Sequence, residues 1–152
     1  MTTEMITNAV EQVRLAHEGF LASDARRQAA VLEARRVGAS WTAIADVIGT
    51  TKQGARQRYV GAEEIGKMAA MLDDRLKVYA QGQGHLLTYA EALELAISRG
   101  VLSEHQGKSV RAVYEAHAEA SRGNLVPSKN ADLLATDCIS ISAKLFSAAP
   151  SV

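Results

Sequence analysis

Cysteine is almost absent from this 152-residue chain, with Cys138 alone. A single thiol forms neither a disulfide framework nor a Cys-based zinc site, and it points to a reducing, cytoplasmic setting; its apolar helical spacing assigns it to a core. Proline is nearly missing as well, with 2 residues to interrupt helices. There are no extended Val/Ile/Thr runs of the kind that build strands, and no apolar run of membrane-spanning length. The opening "MTTEMITNAVEQVRLAHEGF" carries acids and reads as neither a signal peptide nor a span. Neither a GxxxxGK phosphate loop nor a GxGxxG segment occurs, and "GQGH" at 82–85 lacks the strand that would give it meaning. His17, His85 and His105 lie far apart without a carboxylate or cysteine one helical turn away, so neither a metal site nor a cofactor is expected.

What is present is alanine-rich and helical. Hydrophobic residues make up 47% of the chain, and their spacing predicts an all-α protein of one or two small domains, large enough to bury a core without disulfides. The 17 basic and 17 acidic residues balance, yet residues 25–60 hold Arg26, Arg27, Arg35, Arg36, Lys52, Arg56 and Arg58 against only Glu33 and Asp46. A local basic patch suits a polyanion, because phosphate neutralisation needs clustered Lys and Arg.

Ile6, Val10, Val13 and Phe20 mark one stripe of a helix over 3–21. Ser23 or Asp24 caps a helix over 25–37 that ends at Gly38. Ser40 caps 41–48, Gly49 breaks it, and Thr51 caps 52–59. After Gly61 a separate, longer helix is expected, with Ile65, Met68, Ala69, Leu72 and Leu76 inward. Capping boxes at Thr88/Glu91 and Ser103/Gln106 open two more helices, the second carrying Val110, Val113, Tyr114 and His117 on its core face. The last helix shows an apolar stripe of Leu134, Cys138, Ile141 and Leu145.

The segment "ASWTAIADVIGTTKQGARQRY", residues 39–59, has the spacing of a helix-turn-helix. Ala45 is small where the helices cross, Gly49 turns the chain, and Ala55 packs back on the first helix. Outward on the second helix remain Thr51, Lys52, Gln53, Arg56, Gln57 and Arg58, and residues 51–62 contain no acid. Gln pairs with adenine and Lys or Arg with guanine in the major groove, from the first turns of a recognition helix. The competing reading is a helical hairpin with a polar face.

The run "EARRVGASWTAIADVIGTTKQGARQRY" resembles the small helix-turn-helix of actinobacterial and phage DNA-binding proteins, over about residues 25–60. Gly54 departs from that pattern, which usually has alanine. Residues 87–147 resemble, more loosely, HEPN-like helical bundles through "SRGVLSEH" and "VPSKNADLLATDCISISAKLF". Ribonucleases of that family use an Arg and a His on the middle helix, and here "AHAEASRG" has His117 where Arg is expected and Arg122 where His is expected. Arg111 and His117 offer a second frame. In both the polar neighbour of the pair is replaced, by Ala112 or Ala118, so no catalytic residue is assigned.

These readings predict a helix-turn-helix domain at 1–61 and a dimerising or sensing helical bundle at 62–152. The expected function is sequence-specific binding of double-stranded DNA, as a repressor. Thr51 would cap and touch phosphate, Lys52, Gln53 and Gln57 would read bases, and Arg56 and Arg58 would grip the backbone. Arg26, Arg27, Arg35 and Arg36 would make outer phosphate contacts, and Ser40 and Thr50 complete the set. One recognition helix reads few base pairs, so a homodimer through residues beyond 62 is expected, with the 134–145 stripe as a candidate. The alternatives are a HEPN-type ribonuclease or toxin with an autoregulatory DNA-binding domain, and an adaptor that keeps the motif for packing.

Overall fold

The computed structural model describes residues 2–18, 24–84 and 87–148. Phe20, Ser23 and His85, which the sequence singled out, lie outside these. Among the described residues there are seven helices and no strand: α1 (Thr3–Glu18), α2 (Asp24–Arg36), α3 (Trp41–Ile48), α4 (Lys52–Gly82), α5 (Tyr89–Ser98), α6 (Glu104–Ser121) and α7 (Ser128–Ala148). The chain is all-α, as its composition requires. No described helix is long and apolar enough to cross a membrane.

Local chemistry accounts for the helix starts. Ser40 and Thr88 hold extended backbone and accept hydrogen bonds from the N–H groups of Ala43 and Glu91, satisfying donors that a helix leaves orphaned. At α6 the box is reciprocal: Gln106 N–H donates to Ser103 Oγ at 3.1 Å, and Ser103 N–H donates to Gln106 Oε1 at 3.0 Å.

One boundary differs from the sequence reading. Instead of ending near Tyr59 and restarting after Gly61, α4 runs unbroken for 31 residues. Gly61 does not break the helix; it leaves room for another segment. A Cβ there would sit 1.9 Å from the Val126 carbonyl oxygen and 3.1 Å from the Pro127 carbonyl carbon. A glycine in a helix interior is a weak stop signal when packing favours continuation, and close backbone approach is its other use.

The chain divides into two compact units, Met1–Glu64 with Ala116–Ala131, and Ile65–Glu115 with Asp132–Val152. In the first, α1 packs on α2 and α3 around a core that includes Val13, Val31, Ala34, Trp41, Ile44, Ala55 and Tyr59, with Ile6 and Val10 partly buried against it. Residues 116–131 join this unit through backbone contacts. The buried Gln28 amide donates from Nε2 to the Ala120 carbonyl at 2.7 Å, and Gly123 lies so near the start of α2 that a Cβ would be 2.3 Å from Ala25 N.

The second unit buries Leu72, Leu76 and Tyr79 of α4, Leu93 and Ala96 of α5, Val110 and Val113 of α6, and Cys138, Ile141 and Leu145 of α7. The stripe offered above as a dimer contact is therefore spent: Cys138, Ile141 and Leu145 are each at most 1% exposed within one chain. The apolar side chains that α7 leaves in solvent are instead Leu133, Ile139 and Phe146. Burial first, and then the neighbouring Asp137 carboxylate, push the Cys138 thiol above its ordinary pKa, as expected of an inert core cysteine.

Candidate nucleic-acid interface

α3 and α4 are joined by Gly49, Thr50 and Thr51. Gly49 has φ +73° and its N–H donates to the Ala45 carbonyl, and Thr50 N–H donates to the same oxygen at 3.1 Å. The left-handed conformation at Gly49 costs an L side chain but not glycine. Ala45 and Ala55 are 2% and 1% exposed and belong to one buried cluster. Thr51 starts α4 by accepting from Gly54 N–H at 3.0 Å; its hydroxyl hydrogen remains available to a phosphate oxygen. Gly54 sits in this first turn, where a Cβ would meet the Thr50 and Thr51 hydroxyls at 2.7 and 3.1 Å.

At about 100° per residue, Lys52, Gln53, Arg56 and Gln57 occupy one arc of α4 roughly 140° wide. All four are exposed. Ala55, Tyr59 and Ala62, on the other side, are buried. Among the described residues, no side chain forms an ion pair or hydrogen bond with these four. Arg58 lies off this arc, 4.0 Å from Asp24 Oδ1 and with its guanidinium 5.5 Å from the Tyr59 ring centroid.

The four outer arginines divide by environment. Arg26 is exposed. Arg27 is half-buried, and its Nε is buried without a hydrogen-bond partner among the described residues. Arg36 is exposed and forks onto Glu33 at 2.7 Å through Nε and Nη2, which holds the Glu33 carboxyl below its usual pKa. That pair is on the surface, and such pairs are weak enough to exchange for a phosphate. Arg35 is committed to the protein. Its Nε and Nη2 reach Glu63 at 3.0 and 3.3 Å, its Nη1 donates to the Ala39 carbonyl at 2.8 Å, and the guanidinium lies 4.5 Å from the Trp41 ring centroid. Arg35 thus ties the end of α2 to the entry of α3 and to α4. Glu63 is 28 residues away, and no local pattern signals a pair at that separation.

Of the two ribonuclease frames, Arg111 and His117 are about 120° apart around α6, and Arg122 lies in the turn beyond the end of α6 at Ser121. His117 is exposed, which corrects its assignment to the core face. Arg122 pairs with Glu119 and Arg111 with Glu94. A different cluster, not read from the sequence, lies at Ser109, Asp137 and His105. Ser109 Oγ donates to Asp137 Oδ2 at 2.7 Å, and His105 Nε2 is 3.7 Å from the same oxygen. With the carboxylate between them, the imidazole does not contact the hydroxyl, so this is not a nucleophile–base pair. No group of three metal-binding side chains occurs among the described residues.

No protein-family model matches this chain, and neither does any curated protein or solved structure.

Proposed function

We propose that this protein is a helix-turn-helix DNA-binding regulator that recognises specific double-stranded sites and acts as a repressor by occupying them. The observation that carries the reading is the arc of Lys52, Gln53, Arg56 and Gln57. Four long hydrogen-bonding side chains face solvent on the first turns of one helix, unpartnered among the described residues, while the opposite face of that helix is core. Long polar side chains at the start of a helix that fits the major groove are what base-edge recognition uses.

In this reading Lys52, Gln53 and Gln57 contact base edges, Arg56 contacts the phosphodiester backbone, and Ser40, Thr50 and Thr51 donate hydroxyl hydrogens to flanking phosphates. Arg26, Arg36 and Arg58 add phosphate contacts from the rim, with Arg27 beside them. Arg35 contributes by fixing the angle of the motif. A homodimer would place two recognition helices on one site; beyond residue 62 its contact would draw on exposed apolar groups such as Val78, Ile139 and Phe146. We infer no catalytic activity for the chain.

Selection of bound duplexes from a randomised pool by the purified protein tests the proposal. An enriched motif, lost when Lys52, Gln53 and Gln57 are all replaced by alanine, is the expected result. A pool that stays random through successive rounds contradicts sequence-specific recognition.

A further inference from the structure

The second unit carries a small pocket that the DNA reading does not use. Its volume is about 260 Å³, and it is lined by Asp73 and Lys77 of α4 and by Leu87, Thr88, Tyr89 and Ala92 at the start of α5. One wall is aromatic: the Tyr89 ring stacks on Tyr114 with centroids 3.9 Å apart and planes 16° from parallel. The Tyr114 hydroxyl lies 3.5 Å from Asp73 Oδ1. Burial, reinforced by the Asp73 charge, pushes the Tyr114 pKa well up, so the hydroxyl keeps its proton as donor to that carboxylate. Tyr89 itself is still 43% exposed, an aromatic surface held in place but uncovered.

The two charges in the pocket are opposite in sign. Asp73 and Lys77 are one helical turn apart, where such residues commonly pair, yet no ion pair joins them among the described residues. Their Cβ atoms are expected to be about 5–6 Å apart, a gap that a ligand bearing both an ammonium and a carboxylate can bridge. A simple cation would meet Lys77 and a simple anion would meet Asp73, so the pocket selects against each. Thr88 Oγ1 accepts from Glu91 N–H, which leaves its hydroxyl hydrogen to donate to a ligand carboxylate. Leu87, Ala92 and the Tyr89 face supply apolar surface for a side chain, and the volume lies below the range usual for drug-sized ligands.

We propose that this pocket binds a zwitterionic α-amino acid with an apolar or aromatic side chain, its ammonium on Asp73, its carboxylate on Lys77 and Thr88, and its side chain against Tyr89. The site lies wholly within the second unit, and the proposal does not depend on DNA binding.

The test is titration of the full chain, without DNA, by L-leucine and by L-phenylalanine, read by calorimetry and by amide chemical shifts. 4-Methylpentanoate and isopentylamine, which each lack one of leucine's charges, serve as controls. Saturable binding of at least one amino acid is expected, with shifts concentrated at Asp73, Lys77 and Tyr89, and with at least tenfold weaker binding of both controls. Asp73→Asn and Lys77→Gln each remove a charge at an exposed position, leave the fold intact, and should weaken binding about tenfold, as loss of one charged hydrogen bond does. Failure of both amino acids to saturate up to about 10 mM, beyond the 1 mM affinity equivalent to −4.1 kcal/mol, overturns the proposal. Binding that is unchanged in both variants, or equal for leucine and either control, also overturns it.

Discussion

Replacing Gly61 with alanine should destabilise the protein, although the same exchange stabilises most helices. The added Cβ would lie 1.9 Å from the Val126 carbonyl oxygen, below the 3.0 Å that real Cβ contacts keep. The segments must therefore separate by more than about 1 Å, and the obstacle is backbone that has no rotamer to change. Overpacking of this kind costs about 1–3 kcal/mol, while alanine returns roughly 0.5–1 kcal/mol of helix preference, so the net loss is about 1 kcal/mol by these two ranges. In a chain of this length 1 kcal/mol moves the melting temperature by about 2–4 °C, which is the fall expected. Gly66→Ala is the matched control: it lies in the same helix, and a Cβ there meets nothing within 4 Å. It should melt about 1–4 °C above wild type. Thermal unfolding of both variants followed by circular dichroism makes the comparison. A Gly61→Ala variant that melts at or above wild type would refute the contact with Val126, and with it the explanation of why α4 continues through a glycine.

Other outcomes follow from the same structure. Gln53→Ala should relax base preference at one or two positions of a selected site and leave affinity for random DNA nearly unchanged, since a bidentate amide contact contributes about 1–3 kcal/mol of discrimination; an identical selected motif counts against it. Cys138 should resist alkylation near neutral pH until the chain is unfolded, because burial both shields the thiol and raises its pKa; rapid labelling of the native protein would contradict its burial. Tyr114 has a raised folded-state pKa, so its contribution to stability is fully present below its ordinary value near 10 and is lost as pH rises above it. Denaturant unfolding of wild type and Tyr114→Phe at a series of alkaline pH values should show a larger loss of stability in wild type, and equal losses would contradict it. His117→Ala, at an exposed position, should change stability by no more than about 0.5 kcal/mol, and the protein should leave single-stranded and transfer RNA intact; cleavage lost on that substitution would reinstate the ribonuclease alternative.

The parts of the fold written in local chemistry were legible. Ser40, Gly49, Thr51, Thr88 and the Ser103/Gln106 box act within four residues, and each does in space what its sequence neighbourhood says. The exposed arc on α4 followed from helical spacing and the lack of acids. What the sequence hid depends on partners far along the chain. Gly61 reads as a stop until Val126 stands against it, nothing near Gln28 in the sequence signals its bond to the Ala120 carbonyl, and Arg35 reads as one more basic residue until Glu63 and Trp41 take its guanidinium. The same limit misdirected the 134–145 stripe: periodicity marks an apolar face, but it does not tell whether that face is covered by the same chain or by another.

The central claim, that the start of α4 grips duplex DNA, is tested most directly by the salt dependence of binding to a random duplex. For each phosphate contact the slope of log affinity against log salt changes by about 0.9 on B-form DNA. The account predicts steep loss of affinity with salt for the wild type, and a slope shallower by about one in Arg56→Ala. Binding that is absent at low salt, or a slope that Arg56→Ala leaves unchanged, would contradict it.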